Sequence, residues 1–350
     1  MNDKYAKRRA ASPWGLALAL LLVGLIAACG GSHSHSSSPP QTTYQVVSFG
    51  TSLSDAGTYA PEASKFGGGR FTTNPGQVWT QDVANHYNNT LTAAYTGGFG
   101  FPLTVQPNGF DYAQGGARVA ETAGLGFKPD GSGATTVPVR TQLTNYLNAH
   151  GGFNSGQLVL VEGGPNDILI HAAMAAAGQE SNNDAAIAVS LAATQLAGVV
   201  TSIVNAGAQH VALANVADIG KTPEGISTSD QGAGLSSLTT LFNDTMRSAL
   251  ALTLVTTGKN PVVQVDIHSF FDSTLASFQA NGFIVGNTGT ACDQQKLAAF
   301  GGSSLFCSPS TLTVAGADQT YVFADLLHPT TRMHQLVANY VVAQLTSAGH

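Results

Sequence analysis

Four side chains in this sequence are of types that do chemistry together: Ser52, Asn166, Asp325 and His328. Ser52 follows a short β-branched run, Tyr44–Phe49, and Gly50. A hydroxyl at a strand end, where a helix would begin, stands next to backbone N–H groups that lack helical partners. That place suits a nucleophile whose attack produces an oxyanion. A plain strand-to-helix turn, with Ser54 or Asp55 as N-cap, is the alternative. In Asp111-Tyr112-Ala113-Gln114-Gly115-Gly116-Ala117-Arg118 the glycine pair lets a backbone N–H approach a ligand closely. A tight turn uses the same pair. Leu160-Val161-Glu162-Gly163-Gly164-Pro165-Asn166-Asp167 ends a strand in glycines and presents Asn166, an amide able to donate to an oxyanion. Asn166 or Asp167 as cap of the next helix is the alternative. In Asp325-Leu326-Leu327-His328-Pro329 the carboxylate stands three residues before the imidazole, within reach to fix its tautomer. A solvated surface turn carries the same residue types.

Other ionisable groups offer less. Asp266-Ile267-His268 would place an acid and a base on one face of a strand. His86, His150, His171, His210 and His334 have no acidic partner at useful spacing and read as surface or helix-end residues. Ser54 suits capping. Arg118 meets either an acidic head group or solvent.

These residues need elements to hold them. Strand-like runs fall at Tyr44–Phe49, Phe110–Ala113, Leu158–Glu162, His210–Asn215 and Val262–Asp266. Helical spacing appears over Ala185–Asn205, closed by Gly207, over Leu238–Leu254, and over His334–Thr346 after Pro329. Strands alternating with helices predict a parallel sheet covered on both faces, with ligands beyond the carboxyl ends of the strands. Ser52 lies at that edge. Loops 59–100 and 114–140, rich in Gly, Thr and Asn, are long enough to be functional.

The N-terminus reads as a targeting segment, not as fold. Lys4, Lys7, Arg8 and Arg9 precede an apolar run, Trp14–Ala28, that is short for a membrane span. Leu25-Ile26-Ala27-Ala28-Cys29-Gly30 resembles a bacterial lipobox. On that reading residues 1–28 are a signal peptide and Cys29 is lipidated. Gly30 after the cysteine resembles an outer-membrane address in a Gram-negative bacterium, on its periplasmic or cell-surface face. An ordinary signal peptide and an uncleaved anchor are the rivals. Residues 29–43 form a flexible Ser/His/Pro tether, in which His33 and His35 are linker composition. Residues 44–350 read as one catalytic domain. The formal charge is −6; losing residues 1–28 removes four basic groups and one acidic group and leaves −9. With no basic patch, nucleic acid is not an expected partner. Cys292 and Cys307, in a glycine-rich stretch of an exported protein, read as one disulfide worth roughly 3 kcal/mol. Two thiols are too few ligands for a metal site.

Taken in order, the blocks resemble the SGNH/GDSL family of serine esterases and lipases. Phe49-Gly50-Thr51-Ser52-Leu53-Ser54-Asp55 resembles the first block. Gly115-Gly116, Gly164-Pro165-Asn166-Asp167 and Asp325-Leu326-Leu327-His328-Pro329 resemble the later ones. Further similarity lies in Gly69-Arg70-Phe71-Thr72-Thr73-Asn74 with Trp79, and in Asn215-Val216-Ala217-Asp218 before Thr222-Pro223. The resemblance spans residues 44–346. It implies a flavodoxin-like α/β/α sandwich of about five parallel strands. It implies Ser52 as nucleophile, His328 as general base and then acid, and Asp325 as its orienter. The N–H groups of Ser52 and Gly116 and the Asn166 side chain would form the oxyanion hole. Two positions depart: Thr51 stands where the family has Asp, and Asp111 where it has Asn. The implied activity is carboxylic ester hydrolysis without metal or cofactor, on a lipid or lysophospholipid ester, at a membrane reached through the N-terminal lipid. A polysaccharide or aryl ester deacylase is the alternative among enzymes. A binding lipoprotein that lost catalysis is the alternative outside them.

Overall fold

A computed structural model describes residues 43–257 and 260–350. The signal segment, Cys29, His33, His35 and nearly all of the tether lie outside the described residues. The strands in chain order are β1 Gln45–Phe49, β2 Tyr95–Gly98, β3 Phe101–Val105, β4 Gln157–Val161, β5 Val211–Ala214 and β6 Val262–Val265. One parallel sheet runs β1-β4-β5-β6; β2 and β3 form a separate antiparallel hairpin.

Period-two alternation sends the strand side chains into two cores. Val47, Phe49, Val159, Val161, Val211 and Leu213 face one way. There they meet helices Val139–His150, Pro165–Ala176, Asn182–Asn205 and Ala233–Thr257. Val46, Leu158, Leu160, Ala212, Ala214 and Val265 face the other way, against helices Trp79–His86, Ile267–Ala276 and Thr331–Ser347. This is the expected three-layer α/β/α sandwich. Full burial of each large apolar side chain contributes about 1.5–3 kcal/mol, so the sheet is pinned from both sides. Helix Asn182–Asn205 is long and apolar enough to cross a membrane, yet Val189, Leu196, Val200 and Ile203 on it are core residues.

The expected strand at Phe110–Ala113 is reduced to one bridging residue. Ser48 N donates to Phe110 O at 3.0 Å, Tyr112 N to Ser48 O at 2.8 Å, and Gln114 N to Gly50 O at 3.2 Å. Asp111 bridges Ser48 in parallel sense and Ala93 on its other side. The segment therefore fills the place beside β1 that a fifth strand would take. Its pairing stops where Gly115-Gly116 turns the chain away. The region expected as loop 59–100 contains helix Trp79–His86 and strand β2. Helix Val139–His150 begins at the end of the second loop, and Ile267–Ala276 follows β6 directly. The three long helices expected from spacing are present and start a few residues earlier, at their caps. Ser181 forms a capping box with Asp184, and Thr330 accepts from Met333 N.

Candidate active site

Ser52 stands past the end of β1 and is 7% exposed. No helix begins there: residues 51–54 form a turn, and the first helix is Ala60–Ala63. Ser54 and Asp55 are therefore not helix caps. Side chains bond the backbone on both sides of this turn instead. Gln142, from helix Val139–His150, accepts from Gly50 N at 2.9 Å and donates to Gly50 O at 2.8 Å. Asp55 accepts from Gly57 N, Thr58 N and, across the site, Gly115 N at 2.9 Å.

The turn 325–328 meets Ser52 from the far end of the chain. Ser52 Oγ lies 2.9 Å from His328 Nε2. His328 Nδ1 lies 2.8 Å from Asp325 Oδ2. The Asp325 carboxylate also accepts from His328 N at 2.7 Å, Leu327 N at 2.9 Å and Ser304 N at 2.7 Å. Burial alone would raise its pKa, but the His328 charge and these donors win and hold it well below the usual carboxylate range. The Gly69–Asn74 block buttresses this turn. Thr72 Oγ1 donates to Pro329 O at 3.0 Å, Thr331 Oγ1 donates to Thr73 O at 2.7 Å, and the Phe71 ring lies 5.1 Å from the imidazole.

Ser52, Gly116 and Asn166 line one cleft of about 410 Å³ with His328. Among the described residues, neither Ser52 N nor Gly116 N donates to a protein acceptor. Asn166 spends one N–H on Ala117 O at 2.7 Å, which leaves its second N–H for the cleft. Gly116 has φ +79°, and a Cβ there would lie 2.0 Å from Leu125 O, so only glycine fits. The cleft walls are mostly apolar, with Phe71, Phe99, Phe300, Leu305 and Phe306. On the other side of Ser52, a slot of about 50 Å³ is lined by Val216, Ala217, Ile219 and Phe271, which places the Asn215–Asp218 block beside the site.

The two departures have local explanations. Thr51 faces Glu162, the first residue after β4: Thr51 N donates to Glu162 Oε1, and Thr51 Oγ1 donates to Oε2 at 3.1 Å. Burial pushes the Glu162 carboxyl up to about 7. Asp111 accepts from Ala56 N at 2.6 Å and Ala113 N at 3.3 Å, so it binds the nucleophile loop to the glycine loop. Burial, then the Asp55 charge, push its carboxyl well above the usual range.

Several residues depart from expectation. Arg118 is not solvated: Nε donates to Asp167 Oδ1 at 2.9 Å and its side chain is 13% exposed. His171 has an acidic partner after all, Glu180, at 2.9 Å and nine residues away, too far for helical spacing to reveal. His334 is buried, accepts from Trp79 N through Nδ1 at 3.2 Å, and is pushed down to about 3 by burial. Asp266 and His268 do not form a strand pair. Asp266 caps helix Ile267–Ala276, and His268 lies within that helix. His268 does gather with Asp218 and Asp272, their ligand atoms within 4.8 Å of one another. Lys221 already supplies a cation there, 2.6 Å from Asp272 Oδ2.

Cys292 and Cys307 are joined as a disulfide. The loop they close carries Ser304, the donor to Asp325, and the Phe300 and Phe306 walls of the cleft. Sequence reasoning missed Ser304, Gln142, Glu162 and Glu224 as site residues. Glu162 alone left a signal, an acid placed between a buried strand and a glycine pair.

The comparison with curated proteins finds no match. Residues 46–341, which contain every one of these site residues, match the family model described as GDSL-like Lipase/Acylhydrolase, and this chain belongs to that family of ester hydrolases.

Proposed function

We propose that the protein is a carboxylic ester hydrolase working through Ser52, His328 and Asp325. Ser52 Oγ attacks the ester carbonyl carbon while His328 Nε2 takes its proton. The C=O electron pair moves to oxygen, and the oxyanion is held by Ser52 N–H, Gly116 N–H and Asn166 Nδ2–H. Collapse breaks the ester C–O bond, and His328 returns its proton to the leaving alcohol. A water deprotonated by His328 then attacks the acyl carbon, the C–Oγ bond to Ser52 breaks as His328 returns the proton to Oγ, and the acid is freed. Asp325 keeps the imidazole in the tautomer that presents Nε2 to Ser52 and stabilises the imidazolium formed in each half-reaction.

The observation that carries this reading is the unbroken chain from Ser52 Oγ through His328 to Asp325, at 2.9 and 2.8 Å, opening on free backbone donors. The phenylalanine and leucine walls of the cleft favour the acyl chain of a lipid or lysophospholipid over a polysaccharide ester. The lipid on Cys29 would keep the enzyme at the outer membrane, beside such substrates. A fluorophosphonate probe tests the chemistry: it should label the wild type and not Ser52→Ala. No labelling of the wild type, or equal labelling of both, rejects the reading. Metabolic palmitate labelling that survives Cys29→Ala would reject the anchor.

A further inference from the structure

The family's acid beside the nucleophile is absent from the first block, where Thr51 stands, yet a carboxylate occupies the same neighbourhood. It comes from Glu162, just past the end of β4 and more than a hundred residues along the chain. We propose that Glu162 is a positioning residue for catalysis, which replaces that acid from the neighbouring strand and sets the orientation of the Ser52 N–H. The inference rests on the serine-hydrolase reading above.

The geometry of the turn supports it. The backbone around Ser52 has two peptide units to fix, Gly50–Thr51 and Thr51–Ser52. Gly50 O is held by Gln142 Nε2 and Gln114 N. Thr51 N is held by Glu162 Oε1. Thr51 O accepts from Ser54 N at 3.2 Å. With those three groups bonded, the only backbone polar group left in these units is Ser52 N–H, the donor wanted by the oxyanion. Glu162 thus fixes the plane of the peptide that precedes this donor. Thr51 contributes its hydroxyl to the second carboxylate oxygen, so the side chain at 51 and the one at 162 form one unit.

Gly50 fits the same account. Its φ is not in the left-handed region, so the backbone does not demand glycine there. A Cβ on Gly50 would instead lie 2.3 Å from Glu162 Oε1. Glycine lets the carboxylate sit this close, and a larger residue would push Glu162 away from Thr51. The Gly50–Thr51 dipeptide and Glu162 are therefore matched to each other. An Asp at 51 would point a second carboxylate at Glu162, and two carboxylates at about 3 Å cannot both ionise.

The test uses reciprocal backgrounds. In hydrolysis of p-nitrophenyl butyrate, Glu162→Ala should lower kcat about 30-fold with KM within about threefold of wild type. That falls short of the ~10²–10³ for complete loss of one oxyanion donor, as the N–H is misplaced and not removed. Thr51→Asp should lower kcat about tenfold in the wild-type background, and should be tolerated or beneficial in Glu162→Ala and Glu162→Gln. Fluorophosphonate labelling rates should follow kcat in every variant. A structural role alone would make the two substitutions add in the same direction. Additive damage, or a folded Glu162→Ala with kcat within threefold of wild type, overturns the proposal. Where Glu162→Ala does not fold, Glu162→Gln decides: it keeps one acceptor oxygen and puts an NH2 donor in place of the other, so kcat should fall by less than in Glu162→Ala with KM unchanged, and Thr51→Asp should then do no further damage; additive loss overturns the proposal. A wild type that neither hydrolyses ester nor takes the probe defeats the enzyme reading itself, and this inference with it. An active wild type indifferent to these changes defeats the inference alone.

Discussion

Replacing Asn166 separates donation to the oxyanion from mere packing. The side chain is 3% exposed, at the start of helix Pro165–Ala176, and gives one N–H to Ala117 O at 2.7 Å. Asn166→Ala removes the second N–H from the cleft. Loss of one such donor raises the barrier by about 3–4 kcal/mol, a fall of ~10²–10³ in kcat. KM should change little, because the donor is aligned to the tetrahedral oxygen and not to the ground-state carbonyl. The variant also strands Ala117 O in a buried site, at about 1–3 kcal/mol. For a chain of this length that is a melting temperature lower by several degrees, since each kcal/mol shifts it by roughly 2–4 °C. Asn166→Asp keeps the shape but sets a carboxylate against both Ala117 O and the developing oxyanion. Activity and stability should therefore both rank Asn, then Ala, then Asp. A packing role predicts Asp closer to Asn than Ala is. The assay is steady-state hydrolysis of p-nitrophenyl butyrate below the lowest melting point of the three. Asp turning over faster than Ala, or Ala within fivefold of wild type, would refute the reasoning.

The pH dependence of stability carries a signature of Glu162. Its carboxyl is raised by burial from 4.5 to about 7 in the fold, so between those values the folded chain binds more protons than the unfolded one. Unfolding free energy must then fall as pH rises through that window, by about 3 kcal/mol in all. Glu162→Gln should lose Glu162's share of this slope, so that its stability falls less than wild type between pH 5 and pH 8; denaturant melts at the two pH values that shift by the same amount in both proteins would contradict it. Reducing the Cys292–Cys307 bond, which spans 15 residues, should cost roughly 3 kcal/mol and loosen Ser304 from Asp325. A reductant should therefore lower kcat severalfold below the new melting point, and an unchanged kcat there would show that Ser304 does not help hold Asp325. Glu224 is exposed at the cleft and forms no salt bridge among the described residues; partial desolvation there, then the Asp325 charge, raise its carboxyl. Glu224→Lys should improve kcat/KM about fivefold for p-nitrophenyl hemisuccinate relative to p-nitrophenyl butyrate, the worth of one partly exposed charge pair. An unchanged ratio would place that carboxylate away from the bound ester.

The parts of the site that could be read in the sequence are those whose side-chain types can do chemistry. Ser52, Asn166, Asp325 and His328 announce themselves by type and by position after a strand or in a turn. The parallel sheet was legible because buried strands are continuous apolar runs and the long helices keep their spacing. Helix Val139–His150 escaped because Val139, Leu143 and Tyr146 are nearly its whole apolar face, among Arg, Thr, Gln and Asn. The strand at Phe110–Ala113 was expected in full because composition reports burial, not pairing length. His334 escaped because its partner, Trp79, is distant in sequence, and His171 because its acid, Glu180, lies nine residues on, outside helical spacing. Glu162 has no role legible in the sequence, since nothing local ties it to Thr51.

Those misses share a physical origin, which also explains why the catalytic blocks occur together. Loops beyond the strand ends cannot satisfy their backbone donors in a sheet ladder, and the site buries them. Here the acceptors are buried carboxylates, each binding its own block to another. Asp55 joins the nucleophile loop to Gly115, and Asp111 joins it to Ala113. Glu162 holds Thr51, and Asp167 accepts from Val119 N at 3.0 Å beyond the glycine loop. Asp325 takes Ser304 from the disulfide loop. An ionised acceptor makes the stronger hydrogen bond, about 1.5–3 kcal/mol against about 1 for a neutral one, but must be desolvated to do so. Burial raises the pKa of Asp55, Asp111, Glu162 and Asp167 accordingly. Asp325 alone of these is lowered: burial raises it, but the His328 charge and the hydrogen bonds from His328 and Ser304 outweigh that. The acids with raised pKa bond the loops around Ser52 and Gly116. Under the mechanism proposed above, the lowered one would stay charged while the proton moves between Ser52 and His328.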